Sequence, residues 1–165
     1  MKNKKTRDAE FENIRKEYSN KYFGIDFRKH PELYVIGKGE QGVLMAEPYR
    51  SEILPYWKFK TPEISQISAD KIYELFLDYK KNNDFVGMDM ARKYLQMGFT
   101  RSRRYANHKT GTKWNKDKTE ILPIELDEVK AESAKIFYEK YLLAKNDADY
   151  IKLSNLHKEK SKTQK

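Results

Sequence analysis

The sequence predicts an α+β fold, in which a small β-hairpin element is packed by about four helices within a single domain. Apolar residues recur at helical spacing in several long segments, and a glycine-rich connector separates two short β-like runs. A length of 165 residues is typical of one domain. We expect residues 1–7 to form a flexible basic leader, residues 8–157 the domain, and residues 158–165 a disordered charged tail.

The first elements are a short helix from Asp8 and then the hairpin, whose strands are Leu33-Tyr34-Val35-Ile36 and Val43-Leu44-Met45-Ala46. Gly37 to Gly42 connects them with a formal G-x-G-x-x-G pattern. A dinucleotide-binding turn would need a helix next, and a Walker loop would end in Gly-Lys-Ser/Thr, so neither is present. We interpret these glycines as turn residues. The alternative is a phosphate-contacting flap that carries Lys38.

The long helices have clear ends. The hydroxyl of Thr61 is predicted to cap the first of these helices, and Pro62 is predicted to be its first helical residue. Asn82-Asn83-Asp84 ends this helix and caps the next, which we expect to end at Gly98 in a left-handed conformation. The predicted inward residues are Ile72, Leu75, Phe76 and Tyr79 in the first helix, and Phe85, Met88, Ala91 and Leu95 in the second.

Two further helical segments follow a polar, basic stretch. Asp127 caps the first of them, and Asn146-Asp147 separates it from a short amphipathic segment. The residues expected to face the core are Val129, Ile136 and Leu143 in the first, and Tyr150, Leu153 and Leu156 in the second.

Composition limits the classes of function. The chain has no cysteine, so it forms no disulfide, thiolate nucleophile or cysteine-ligated zinc site. No apolar run approaches the roughly 20 residues that span a bilayer, and we expect a cytoplasmic protein without membrane contact. The net charge is +9, which favours anionic partners. Nucleic acid is the commonest of these, and an acidic protein is the alternative partner.

The most informative feature is a stretch without acidic residues, which spans residues 92–116. Elsewhere the chain mixes both signs of charge, so this asymmetry is local. Guanidinium groups bind phosphates through bidentate hydrogen bonds, and aromatic rings offer faces on which bases stack. The alternative is a solvated face whose arginines pair with acidic helices. The predicted phosphate-binding residues are Arg101, Arg103, Arg104, Lys109 and Lys113 with Lys38, and the predicted base-stacking residues are Tyr105 and Trp57.

Trp57 also has a second interpretation. It lies in Tyr56-Trp57-Lys58-Phe59-Lys60, whose alternating aromatic and basic residues suit a short strand with one stacking face. More often, a tryptophan in such a segment belongs to the core.

Candidates for catalysis are few, and none has diagnostic spacing. His30 and His108 are candidate general acids or bases because they are histidines, and Glu40 and Glu52 faintly resemble the acids of a metal-dependent nuclease. His157 is expected to have no role. No two histidines share metal-ligand spacing, so we predict neither a metal site nor a cofactor.

Several dense, collinear segments between Phe23 and Lys145 resemble an uncharacterised domain-of-unknown-function family seen in bacteria, fungi and large tailed phages. The resemblance implies no activity, substrate or cofactor. The chain differs from the family after Lys113, where the connection to the last helices is shortened. The segments that carry it are residues 25–34, 39–44, 48–55, 59–64, 84–92 and 98–109.

These observations favour a nucleic-acid or other polyanion-binding protein that uses the segment 92–116. One alternative is an enzyme acting on a nucleotide, nucleic acid or other phosphorylated substrate, with His30, His108, Glu40 or Glu52 in acid–base or metal chemistry. Another is a phage or bacterial interaction protein that docks on an acidic partner. The sequence leaves DNA and RNA undistinguished.

Overall fold

The structure, a computed structural model, is mainly helical. It describes residues 22–37, 42–107, 114–121 and 127–163, together with positions 5, 6, 8–10, 12, 13 and 16, which are helical. Within these residues the bounded α-helices are α1 (Tyr49–Ile53), α2 (Pro62–Lys81), α3 (Phe85–Asn107), α4 (Glu128–Lys145) and α5 (Ala148–Thr163), and short 3₁₀ helices cover Pro31–Leu33 and Leu54–Tyr56.

The prediction of an α+β fold is wrong. In the described part of the chain, β pairing is limited to two isolated bridges, Asp26 with Glu47 and Trp114 with Ile121. Leu33 ends a 3₁₀ helix, and residues 43–45 form a turn, so the predicted hairpin is absent from these residues. Short apolar runs do not distinguish a strand from an irregular segment that packs against helices.

The two runs instead supply side chains to the helical core. Tyr34, Val43 and Ala46 are buried, and Gly42 begins the turn with a positive φ of 82°. The amide of Met45 donates to the carbonyl of Gly42 at 3.1 Å. The glycine therefore serves a turn, as predicted, but the turn does not join two paired strands.

α2 follows its local signals. The Thr61 hydroxyl accepts a hydrogen bond from the amide of Ile64 at 3.2 Å, which confirms the predicted cap. Ile72, Phe76 and Tyr79 are buried, so the predicted stripe faces the core.

α3 begins as predicted and ends elsewhere. A carboxylate oxygen of Asp84 accepts from the amide of Gly87 at 3.1 Å, which confirms the cap. Gly98 does not end the helix, which continues to Asn107. A Cβ atom at Gly98 would lie 2.4 Å from the Phe137 ring, so this glycine allows α3 and α4 to approach closely.

α4 has the predicted cap and a different buried side. Asp127 accepts from the amide of Lys130 at 3.1 Å. Val129 and Leu143 are 53% and 51% exposed, whereas Phe137 and Ala144 are buried. The buried stripe is displaced by one residue because Phe137 packs against Gly98 on α3.

α5 is longer than expected. Asn146 and Asp147 separate it from α4 as predicted, and Asp147 accepts from the amide of Tyr150 at 3.0 Å. The helix runs to Thr163, so residues 158–163 of the predicted disordered tail are helical. Tyr150 is buried, while Leu156 is 43% exposed.

α3 is the central element. Nearly every residue of its first half is buried, and it packs on α2, α4 and α5. None of the helices formed by the described residues is apolar over a length that would cross a bilayer.

Candidate nucleic-acid interface

The predicted phosphate-binding arginines lie on the second half of α3 rather than in a loop. Arg101 and Arg104 are exposed, and Arg103 is partly buried. Because an α-helix turns by about 100° per residue, Arg103 lies about 200° round the helix from Arg101. Two residues that far apart do not act as one cluster. The structure therefore separates Arg103 from the other two.

The first half of the acid-free stretch is buried instead. Arg92 and Lys93 are 8% and 0% exposed, and both are close to Asp89 at the preceding turn of α3. A carboxylate oxygen of Asp89 lies 2.6 Å from Arg92 Nη2, and the other lies 3.8 Å from Lys93 Nζ. These two cations are held inside the protein and do not belong to an exposed phosphate site.

Tyrosines complete the surroundings of Asp89. The hydroxyl of Tyr150 on α5 donates to it at 2.7 Å, and the hydroxyl of Tyr34 donates to its second oxygen. Burial alone would raise the pKa of Asp89, but the charges of Arg92 and Lys93 outweigh it and lower that pKa. Burial lowers the pKa of Lys93 to about 8, against the opposing effect of Asp89. This cluster ties α3 to α5 and to the segment after Pro31–Leu33.

Trp57 and the second half of α3 are in contact. The Trp57 indole donates to the carbonyl of Tyr94 at 3.1 Å, and the Arg101 guanidinium carbon lies 5.5 Å from the Trp57 ring centroid. The ring centroids of Trp57 and Phe59 are 5.0 Å apart, and those of Phe59 and Tyr105 are 6.2 Å apart. The structure thus brings Trp57 close to Arg101 and Tyr105, which lie on α3 and are distant from it in sequence.

Residues 57–60 form an extended strip without a partner strand. Trp57 and Phe59 are half-buried against α3, while Lys58 and Lys60 are exposed, as alternation in an extended chain requires. The predicted strand is therefore absent, but its alternation is real. The aromatic side of the strip packs inward, as the core interpretation of Trp57 expected, and the basic side faces solvent.

Hydrogen bonds hold this strip in place. The amide of Lys58 donates to the Ser68 hydroxyl at 3.0 Å. Lys130 of α4 donates to the carbonyl of Lys60 at 2.7 Å and to that of Phe59 at 3.4 Å. The strip is thus anchored to α2 and α4, as well as to α3 through Trp57. We call the surface formed by Lys58, Lys60, Arg101, Arg104, Tyr105 and the rings of Trp57 and Phe59 the basic–aromatic face.

The cations of this face are not neutralised by described neighbours. Among the described residues, no ion pair involves Lys58, Lys60, Arg101 or Arg104. The alternative of arginines paired with acidic helices therefore does not describe Arg101 and Arg104. Their charges remain in solvent, where an anion can reach them.

A separate cleft of about 890 Å³ lies between the Pro31–Leu33 segment, the end of α2 and α5. Arg28 binds both oxygens of Glu52, at 2.6 and 2.9 Å, and lies 3.4 Å from Asp84. Glu52 also accepts from the Tyr79 hydroxyl at 2.9 Å. The hydrogen bonds from Arg28 lower the pKa of Glu52, so this carboxylate is a stable ion-pair partner.

A family model matches residues 17–160, which include the basic–aromatic face and all residues lining the cleft except Ser161. The chain belongs to the DUF4385 family, described as a domain of unknown function. The match confirms the resemblance to an uncharacterised family and extends it beyond Phe23 and Lys145. No curated protein and no solved structure matches the chain.

Of the candidate catalytic residues of this DUF4385 chain, His30 and Glu52 lie among the described residues, and each is paired with another side chain. His30 is exposed, and its Nδ1 lies 3.4 Å from a carboxylate oxygen of Glu32. Glu52 is committed to Arg28 and Tyr79. Among the described residues, no three acidic or histidine side chains are grouped so that they could hold a metal ion. Lys38, Glu40, His108, Lys109 and Lys113 lie outside the described residues.

His157 has a packing role that the sequence did not indicate. Its Nε2 donates to the carbonyl of Tyr34, and its ring lies 5.7 Å from the Tyr34 ring and 5.2 Å from the Phe85 ring. The prediction missed this contact because it treated residues near the end of the chain as a tail. It also omitted Lys58 and Lys60 from the phosphate-binding set, although their alternation with Trp57 was visible.

Proposed function

We propose that this protein binds nucleic acid through the basic–aromatic face. The observation that carries the proposal is the contact of Arg101 with Trp57 beside two exposed lysines, with no carboxylate paired to these cations among the described residues. Guanidinium and ammonium groups bind phosphate oxygens, and the exposed ring of Tyr105 provides contact area for a base. Lys38, Lys109 and Lys113 lie outside the described residues and stay predicted phosphate-binding residues.

The cation–π contact of Arg101 with Trp57 supports a binding role rather than general solubility. A solvated arginine loses side-chain entropy when it binds a ligand, and contact with a fixed ring reduces that loss. Trp57 is itself fixed by its hydrogen bond to Tyr94. Arg101 is therefore partly preorganised for a phosphate.

Fluorescence anisotropy with labelled single-stranded DNA, duplex DNA and RNA, each titrated across salt, tests the proposal. We expect the logarithm of affinity to fall linearly with the logarithm of salt concentration, because bound phosphates release counterions. Contacts from Lys58, Lys60, Arg101 and Arg104 predict a slope of about −3.

Two double variants that remove the same charge distinguish binding by the basic–aromatic face from an effect of net charge alone. Arg101→Ala combined with Arg104→Ala should weaken binding at least about tenfold and reduce the slope by about 1.5. Lys135→Ala combined with Lys152→Ala removes the same charge from exposed positions on α4 and α5 and should have a much smaller effect. Arg103→Ala should also have a small effect, because Arg103 lies on the other side of α3.

Two results would contradict the proposal. Equal losses in the two double variants would mean that only net charge matters. Absence of binding to all three nucleic acids at low salt would direct attention to a small phosphorylated ligand or an acidic protein.

A further inference from the structure

The cations of the basic–aromatic face form two rows. In the extended strip, Lys58 and Lys60 are two residues apart, a separation of about 6–7 Å. On α3, Arg101 and Arg104 are one turn apart, with about 5–6 Å between their Cβ atoms. Both spacings suit successive phosphates of one nucleic-acid strand.

The strip and the helix run side by side in the same direction. Trp57 lies beside Arg101, and Phe59 lies beside Tyr105. The advance from Trp57 to Phe59 is about 6–7 Å, and the advance from Arg101 to Tyr105 is about 6 Å. The strip and the second half of α3 are therefore nearly parallel, with the rings of Trp57 and Phe59 packed between them.

This arrangement is too broad to enter a DNA groove. A helix with its side chains is about 10–12 Å wide, which already fills a major groove of about 12 Å. The strip lies along the side of α3 and is held there by Lys130 and by the Trp57 indole. The second half of α3 therefore belongs to a wide surface and does not project as a recognition helix.

The same surface offers planar groups to unpaired bases. Tyr105 is 38% exposed, and Phe59 supports its ring at an interplanar angle of 34°. Arg101 is exposed and lies over Trp57. Tyrosine rings and guanidinium planes stack on unpaired bases, whereas bases within a duplex are covered by their neighbours.

We propose that the basic–aromatic face binds a single strand of nucleic acid, with phosphates along the two rows of cations and a base stacked on Tyr105. This inference rests on the proposed function and narrows its ligand. Recognition is independent of sequence, because every base has a face that can stack.

Competition binding tests the preference for single strands. The protein is first bound to labelled oligo-thymidine of about 16 nucleotides, near the upper end of common site sizes. Unlabelled oligo-thymidine, oligo-uridine and a duplex of equal length then compete at one salt concentration. We expect both single strands to displace the label at concentrations about tenfold lower than the duplex.

A matched pair of variants tests the stacked base. Tyr105→Ala should weaken single-strand binding about tenfold and leave its salt slope unchanged, because no phosphate contact is lost. Tyr105→Phe keeps the ring and should bind like the wild type. Arg101→Lys keeps the positive charge but removes the planar guanidinium group, so the preference for single strands over duplex should become smaller. Circular dichroism and urea unfolding check that each variant is folded.

The outcomes distinguish this inference from the proposed function. If the duplex competes as well as the single strands, the inference is wrong and the proposed function stands. If Tyr105→Ala and Tyr105→Phe bind equally well, base stacking on Tyr105 is wrong. If no oligonucleotide binds, both proposals fail.

Discussion

The two halves of α3 contain similar side chains and use them in opposite ways. In the first half, Arg92 and Lys93 are buried around Asp89. In the second half, Arg101 and Arg104 are exposed and make no ion pair with the described residues. The first half stabilises the fold, and the second half presents charge to solvent.

The difference between the two halves shows that burial determines whether a cationic side chain needs a carboxylate partner. Transfer of an ion into the interior costs several kcal/mol after relaxation, so Arg92 and Lys93 require the carboxylate of Asp89 and the hydroxyls around it. An exposed ion pair contributes only about 0–1 kcal/mol, so Arg101 and Arg104 lose little by having no carboxylate partner in the described part of the chain. They are therefore available for a ligand, whereas the buried pair is not.

The largest effect is expected from Asp89→Asn. This change removes the charge that compensates Arg92 and Lys93 and should destabilise the protein by about 3–5 kcal/mol. Urea unfolding followed by tryptophan fluorescence measures the loss. Arg104→Gln in the second half is the control and should change stability by less than about 0.5 kcal/mol. Similar costs for the two variants would remove the distinction between the halves.

Gly98→Ala tests the junction between the halves. In an unobstructed helix this substitution would stabilise by about 1 kcal/mol, but here the new Cβ would meet the Phe137 ring at 2.4 Å. We expect a destabilisation of about 1–3 kcal/mol. In a double-mutant cycle, Gly98→Ala should cost less when Phe137→Leu is also present. Additive costs would show that Phe137 is not the obstacle.

The stability of the protein should depend on pH because Lys93 is buried in the first half of α3. Lys93 has an ordinary pKa of 10.5, which burial lowers to about 8 in the folded protein. Between these values the unfolded chain binds a proton that the folded chain releases, so stability should rise with pH from about 8. The rise should be about 1 kcal/mol between pH 8 and pH 9. Near pH 10, ionisation of tyrosines in the unfolded chain opposes it, because burial raises the pKa of Tyr34, Tyr49, Tyr79, Tyr94 and Tyr150 in the folded protein.

Lys93→Met identifies the source of this rise. The variant keeps the length of the side chain and removes the titrating group, so its stability should vary less with pH over the same interval. Urea unfolding at several pH values measures both proteins. Parallel curves would mean that another group is responsible.

Much of the helical architecture was predictable from local chemistry. Thr61, Asp84 and Asp127 cap helices as expected, because each hydrogen bond joins residues three apart. The hairpin was not predictable in the same way. The run that contains Tyr34 has apolar residues suited to a strand, but its partner is the helical core and not a second strand.

The candidate site was predicted in part. Arg101, Trp57 and Tyr105 were selected and are close together, although the sequence separates Trp57 from Arg101 by 44 positions, the difference of their residue numbers. The prediction groups Arg103 with Arg101 because it ends the helix at Gly98, but α3 continues to Asn107 and its turn separates them. Lys58 and Lys60 were missed because only the extended strip beside α3 makes them part of that surface.

Composition and short-range spacing specify the basic charge, the helix starts and a local excess of cations, since these depend on residue types or on residues within one helical turn. The packing of the helices specifies which cations are buried, where α3 ends and which rings lie beside Arg101. Those properties depend on contacts such as Tyr34 with Asp89 and Gly98 with Phe137. Such contacts join residues that are distant along the chain, and burial then determines whether a charge must be paired or can remain in solvent.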